Sequence, residues 1–173
     1  MSYTTQATLF TGPEPEPRAR RLQYIPVLRC SLIRESRIGV QTKKVYTPAI
    51  VAAIVRDHLD GADREHCVVL LLDAKNALIG INTVSVGSLC ESIVHAREVF
   101  KPAILAGAAA ILLAHNHPSG DPSPSPQDIA VTHKIVLAGR LLGIDLLDHV
   151  IVGDQRHVSL KERGLMTPKE NTT

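Results

Sequence analysis

Between Ala108 and Asp128 the chain leaves its backbone little choice. Ala108-Ala-Ala-Ile-Leu-Leu-Ala114 is short and wholly apolar, as a buried strand is. His115-Asn116-His117 follows without a break. Three prolines then stiffen the stretch from Pro118 to Pro124, and Ser125-Pro126-Gln127-Asp128 combines a hydroxyl N-cap, proline at the first helical position and an acid at the third. A strand must therefore stop and a helix start within a few residues, with a rigid connection between them. The fold has to bring a strand end and a helix N-terminus face to face.

The remaining elements can be placed around that unit. Ile25 to Ile33 is expected to be a first strand. Thr47-Pro48 is the N-cap and first residue of a helix that continues through Leu59 and stops at Gly61. Cys67–Leu72 is a second buried strand; Asp73–Asn76 turns, and Ala77 to Val86 returns, which predicts a hairpin. His95 to Ala106 has helical spacing of apolar residues, with Gly107 as its C-cap. The helix beginning after Ser125 extends to about Leu142, and Ile144 to Val152 and Val158 to Leu160 are final strands. The order fits an α/β (α+β) protein with a mixed sheet flanked by helices. Residues 1–22 are polar, Pro-rich and aperiodic, so they are expected to form a disordered tail, as are residues 167–173; the domain is expected to span 23–166.

The histidines suggest a metal. Residues i and i+2 of an extended segment project to the same side, so His115 and His117 point together from the strand end. Asp128, in the first turn of the next helix, can come back beside them. Two imidazoles and one carboxylate are a donor set that a catalytic zinc takes when it keeps one position open for water, whose pKa it lowers toward ~7. Such a hydrolase also needs a proton carrier. Glu65, at the mouth of the Cys67–Leu72 strand, is the candidate, and Ser125 can donate a hydrogen bond to the oxyanion, an interaction of ~3 kcal/mol in comparable sites. Each residue has an ordinary alternative: Ser125 and Asp128 as a capping box, Glu65 as an exposed strand-end charge, His115-Asn-His117 as part of a turn. His58, His66, His95, His133, His149 and His157 read as structural. His149 stands out because Asp148 precedes it and a nearby acid can orient an imidazole. A metallo-β-lactamase would have Asp-His where Ser119 and Gly120 stand, and an amidohydrolase barrel needs a far longer chain.

Bulk properties restrict the setting. With 173 residues, 45% of them apolar and no Trp, the chain can build one domain with an aliphatic core. Cys30, Cys67 and Cys90 form no CxxC pair, and the absence of a signal peptide adds to the expectation of a reduced, cytoplasmic protein, with Cys67 and Cys90 in the core. No apolar run approaches the ~20 residues that span a bilayer. The net charge of +2 is unevenly spread: Arg29, Arg34, Arg37, Lys43 and Lys44 face only Glu35, a local +4 that leaves the rest of the chain at −2. That stretch reads as an exposed basic hairpin or as a contact for phosphate or an acidic partner.

The spacing His115-x-His117-Pro118, six residues, Ser125-x-x-Asp128 resembles the JAMM motif of MPN/JAB-domain metalloproteases. Arg64–Asp73, Val94–Phe100, Ala109–Gly120 and Leu147–Gly153 further resemble the bacterial RadC family, over roughly residues 45 to 166. The resemblance implies an MPN fold with a curved mixed sheet between helices, zinc held by His115, His117 and Asp128, Glu65 as general base and acid, Ser125 assisting the oxyanion, and hydrolysis of a peptide or isopeptide bond in a peptide or protein substrate. Longer family members carry an N-terminal region resembling a DNA-binding helix-hairpin-helix unit, which the residues before position 45 do not match. Two further readings follow. One is a non-enzymatic accessory protein of DNA repair or mobile elements, binding DNA through Arg34, Arg37, Lys43 and Lys44. The other is a pseudoenzyme scaffold that holds peptide without cutting it.

Overall fold

Thr47 starts the first helix, α1 (Pro48–His58): its hydroxyl accepts from the Ile50 amide at 3.4 Å, and Pro48 fills the first turn. The computed structural model describes residues 24–45, 47–87 and 94–167. The expected tail at 1–22, residues 168–173 and Cys90 lie outside these. α1 turns Val51, Ala52, Ile54 and Val55 inward. After it come β1 (His66–Leu72) and β2 (Leu78–Val86), then α2 (Ala96–Ala106), β3 (Ala110–Asn116), α3 (Pro126–Leu142), β4 (Asp145–Val152) and β5 (His157–Ser159). Gly107 ends α2 in the left-handed conformation (φ 64°) expected of a C-cap glycine.

The five strands form one mixed sheet in the order β2-β1-β3-β4-β5. β1 pairs antiparallel with both β2 and β3, β4 pairs antiparallel with β5, and β3 pairs parallel with β4 through the α3 crossover. Alternation sorts the side chains into two cores. Val68, Leu70 and Leu72 of β1 join Leu112, Ala114 and Val150 against α1. Cys67, Val69 and Leu71 join Ile111 and Leu113 against α2 and α3, with Phe100, Val131 and Ile135. Because both faces are covered, β1 is buried beyond His66 without polar alternation, which explains its continuous apolar sequence. No helix among the described residues is long and apolar enough to cross a membrane.

The strand expected at Ile25–Ile33 does not form. Residues 24–40 carry no regular secondary structure, and Tyr24, Ile25, Val27, Leu28 and Ile33 are exposed. Strand preference is realised only by pairing and packing, and this segment enters no ladder. The basic stretch is therefore not a hairpin. It meets the hairpin at an isolated bridge between Lys44 and Ala77, where the Leu78 amide donates to the Lys43 carbonyl at 2.7 Å.

Candidate metal centre

β3 ends at the edge of a loop that folds back over it, which places the two histidines. His115 is the last buried residue of β3 and His117 stands just beyond, its amide donating to the Val152 carbonyl at 2.9 Å. Their side chains point the same way, with Nε2 atoms 3.0 Å apart. The loop from Pro118 to Pro124 is pressed onto the β4–β5 turn. A Cβ on Gly153 would run into the Gly120 carbonyl oxygen, so this approach requires glycine. The loop delivers Ser125 and the start of α3 directly above His115.

At that helix start Ser125 and Asp128 form a full capping box. The Asp128 amide donates to Ser125 Oγ at 3.2 Å, and the Ser125 amide and hydroxyl both donate to Asp128 Oδ2 at 2.7 Å. The cap thus anchors one carboxylate oxygen. The other, Oδ1, lies 3.3 Å from His115 Nε2. Capping and site-building are the same contacts at this position.

Glu65 arrives from the antiparallel neighbour. Cys67 is the partner of His115 across the β1–β3 ladder, so the residues just before β1 lie at the carboxyl end of β3. Glu65 Oε1 is 3.8 Å from His115 Nε2. Asn116, between the histidines, turns to the opposite side and spans Glu65: the His66 amide donates to Asn116 Oδ1 at 2.7 Å, and Asn116 Nδ2 donates to the Arg64 carbonyl at 3.0 Å. One side chain thus ties down both neighbours of Glu65.

Glu65, His115, His117 and Asp128 each offer a ligand atom, and these four atoms lie within 4.8 Å of one another. The donor chemistry fits a cation. His117 Nδ1 is 2.7 Å from the Asp121 carbonyl, which can only accept, so Nδ1 donates to it and Nε2 is the nitrogen turned to the cluster. Burial, and then the nearby His117, push the His115 pKa down to about 3, and burial holds His149 well below its ordinary value, so both rings are neutral. Two imidazoles and two carboxylates converge, a donor set of nitrogen and oxygen that suits a divalent metal. Cys67, by contrast, is no ligand: burial, then the charges of Glu65 and Asp128, push its thiol up to about 12, and it packs in the core as its sequence context suggests.

The structure does not bring the other candidates here. Arg34, Arg37, Lys43 and Lys44 are exposed on the irregular segment before α1 and are not members of the cluster. Asp148 also has a different task from the one its position suggested. Its carboxylate accepts from the His149 amide (2.7 Å), Ser159 Oγ (2.6 Å) and the Lys161 amide (3.0 Å), while the imidazole of His149 meets His115 and Thr132 instead. Thr132 and Asn116 are not visible as site residues in the sequence, because an interior helix threonine and an asparagine between histidines carry no local signal of their partners.

A family model described as the RadC-like JAB domain matches residues 45–165. Among curated relatives, a UPF0758 protein of Methanosarcina acetivorans is 44% identical over 149 residues, covering 86% of this chain and 65% of its own. UPF0758 proteins of Desulfitobacterium hafniense and Moorella thermoacetica are 51% and 53% identical over 122 residues, covering 70% of this chain and 54% and 53% of their own. The chain thus spans between half and two thirds of the length of these relatives.

Proposed function

The chain belongs to the RadC-like JAB domain family, and from that premise we propose that it is a metal-dependent hydrolase of the JAMM type, cutting a peptide or isopeptide bond in a peptide or protein substrate. The observation that carries this reading is the convergence of Glu65, His115, His117 and Asp128. Zinc is the metal proposed, held by His115 Nε2, His117 Nε2 and Asp128, because that set is the one catalytic zinc takes while keeping a position free. When bound, zinc supplies a Lewis acid that polarises a carbonyl and lowers the pKa of water toward ~7.

The chain's own residues do the rest. Asp128, anchored through Oδ2 by Ser125, keeps Oδ1 turned to His115, while Oδ2 lies 3.8 Å from His117 Nε2. Glu65 is half-buried beside His115, and in this reading it takes the proton of the attacking water and delivers it to the leaving amine. Asn116 holds the Glu65 backbone on both sides, so the carboxylate is presented at a fixed height above the sheet end. Ser125 Oγ sits at the rim of the same cluster; to assist an oxyanion it redirects the proton it gives to Asp128 Oδ2.

The test is hydrolysis of a peptide and isopeptide library by the zinc-loaded protein and by Glu65→Gln. Expected are cleavage by the wild type and a loss of about 10²–10⁴-fold in kcat in the variant, with zinc content unchanged. Turnover that survives Glu65→Gln contradicts the assigned role. Full zinc occupancy with no cleavage of any library member favours a peptide-holding scaffold instead.

A further inference from the structure

A second route joins His115 to Asp128 behind the site. His115 Nδ1 lies 2.8 Å from His149 Nε2, His149 Nδ1 lies 2.6 Å from Thr132 Oγ1, and Thr132 Oγ1 lies 2.6 Å from the backbone oxygen of Asp128. His115, Thr132 and His149 are each 0% exposed. Three elements contribute: β3 carries His115, β4 carries His149, and α3 carries both Thr132 and Asp128, four residues apart and so on one face.

The direction of this chain is settled from its far end. The Asp128 carbonyl has no proton to give, so the single hydroxyl proton of Thr132 is donated to it. Thr132 then offers only lone pairs to His149 Nδ1, and that nitrogen must bear the proton. A second proton, on His149 Nε2, would make a fully buried imidazolium pressed against another imidazole, an arrangement burial strongly disfavours. His149 Nε2 is therefore the acceptor, and His115 Nδ1 the donor. A neutral His115 with its proton on Nδ1 has a bare Nε2, the atom that faces His117 and Asp128.

We propose that Thr132 and His149 are positioning residues that lock the tautomer of His115, holding its Nε2 lone pair toward the metal position before any metal arrives. The lock rests on the metal reading for its purpose but not for its geometry. It also links the two proposed ligands mechanically: Asp128 gives its side chain to the site and its carbonyl to the relay that orients His115. The His149 backbone is pinned in turn by Asp148, through the amide contact described above.

Two measurements test this. In metal-free protein with ¹⁵N-labelled histidine, long-range ¹H–¹⁵N correlation reads each ring nitrogen. The lock predicts a protonated Nδ1 and bare Nε2 for both His115 and His149; a His115 protonated on Nε2 overturns it. Zinc affinity by competition with a chromophoric chelator is the second. His149→Leu is expected to bind zinc about 10–100-fold more weakly, the usual loss on removing an outer partner of a ligating histidine. His149→Gln, whose amide oxygen can accept from His115 Nδ1, is expected to recover most of that loss, and the isosteric Thr132→Val to weaken binding in the same direction as His149→Leu. Folded His149→Leu that binds zinc as tightly as the wild type overturns the lock. A wild type that binds no zinc overturns the metal reading, and the nitrogen spectra still decide the tautomer.

Discussion

Asn116 sits between two proposed ligands yet works on a third residue. Its side chain leaves the face of His115 and His117 and bridges the backbone on both sides of Glu65. Asn116→Leu keeps a similar volume and removes both hydrogen bonds. It is expected to lower kcat by about tenfold or more, with zinc content unchanged, because positioning rather than ligation is lost; steady-state kinetics beside metal analysis checks this. The buried histidines make a separate prediction. His115 has a folded pKa of about 3 against 6.5 when unfolded. Between those values the unfolded chain binds a proton that the folded chain refuses. This group's contribution to stability is therefore complete above pH 6.5 and is lost as pH falls, by about 1.4 kcal/mol per pH unit. His149 shifts in the same direction. The urea midpoint of metal-free protein is expected to drop steeply between about pH 7 and pH 5, and a flat profile contradicts two neutral buried rings. At this scale the sequence displays His115, His117, Asp128 and Glu65 through spacing and family resemblance. It hides Thr132 and Asn116, whose partners lie on other elements, and it suggests the wrong orienting group for His149, since Asp148 points its carboxylate at backbone and serine.

The helix α3 begins with one side-chain pair that does two jobs. Ser125 caps the helix and fixes Asp128 Oδ2. Ser125→Ala is expected to destabilise the metal-free protein by about 1 kcal/mol, the usual worth of a cap, and also to weaken zinc binding, because Asp128 loses the hydroxyl that anchors it. Thermal melts with and without zinc separate the two: a variant that loses stability equally in both states shows a cap and nothing more. Elements with local signals were readable for physical reasons. Thr47-Pro48, Ser125-Pro126 and Gly107 satisfy helix ends by themselves, and the apolar run Cys67–Leu72 fits a doubly covered strand. Ile25–Ile33 has the residues of a strand but no ladder to join, and no local pattern reports a missing partner.

Across the whole molecule, the sheet is the frame that makes distant residues neighbours. The antiparallel β1–β3 pair puts Glu65 at the histidine end, and the parallel β3–α3–β4 unit puts His149 beside His115 and Asp128 above it. The β4–β5 turn closes the arrangement by seating the Pro118–Pro124 loop where Gly153 meets Gly120. Gly153→Ala drives a Cβ into the Gly120 carbonyl and is expected to cost about 1–3 kcal/mol and to weaken zinc binding, although it touches no proposed ligand; a melt and a zinc titration check both. Metal analysis of purified protein asks whether His115, His117 and Asp128 hold a metal, on which every proposed role depends. About one zinc per chain is expected in the wild type and in Glu65→Gln, and none in folded His117→Ala or Asp128→Asn. Equal metal content in all four proteins, or none in the wild type after zinc is supplied, would contradict it.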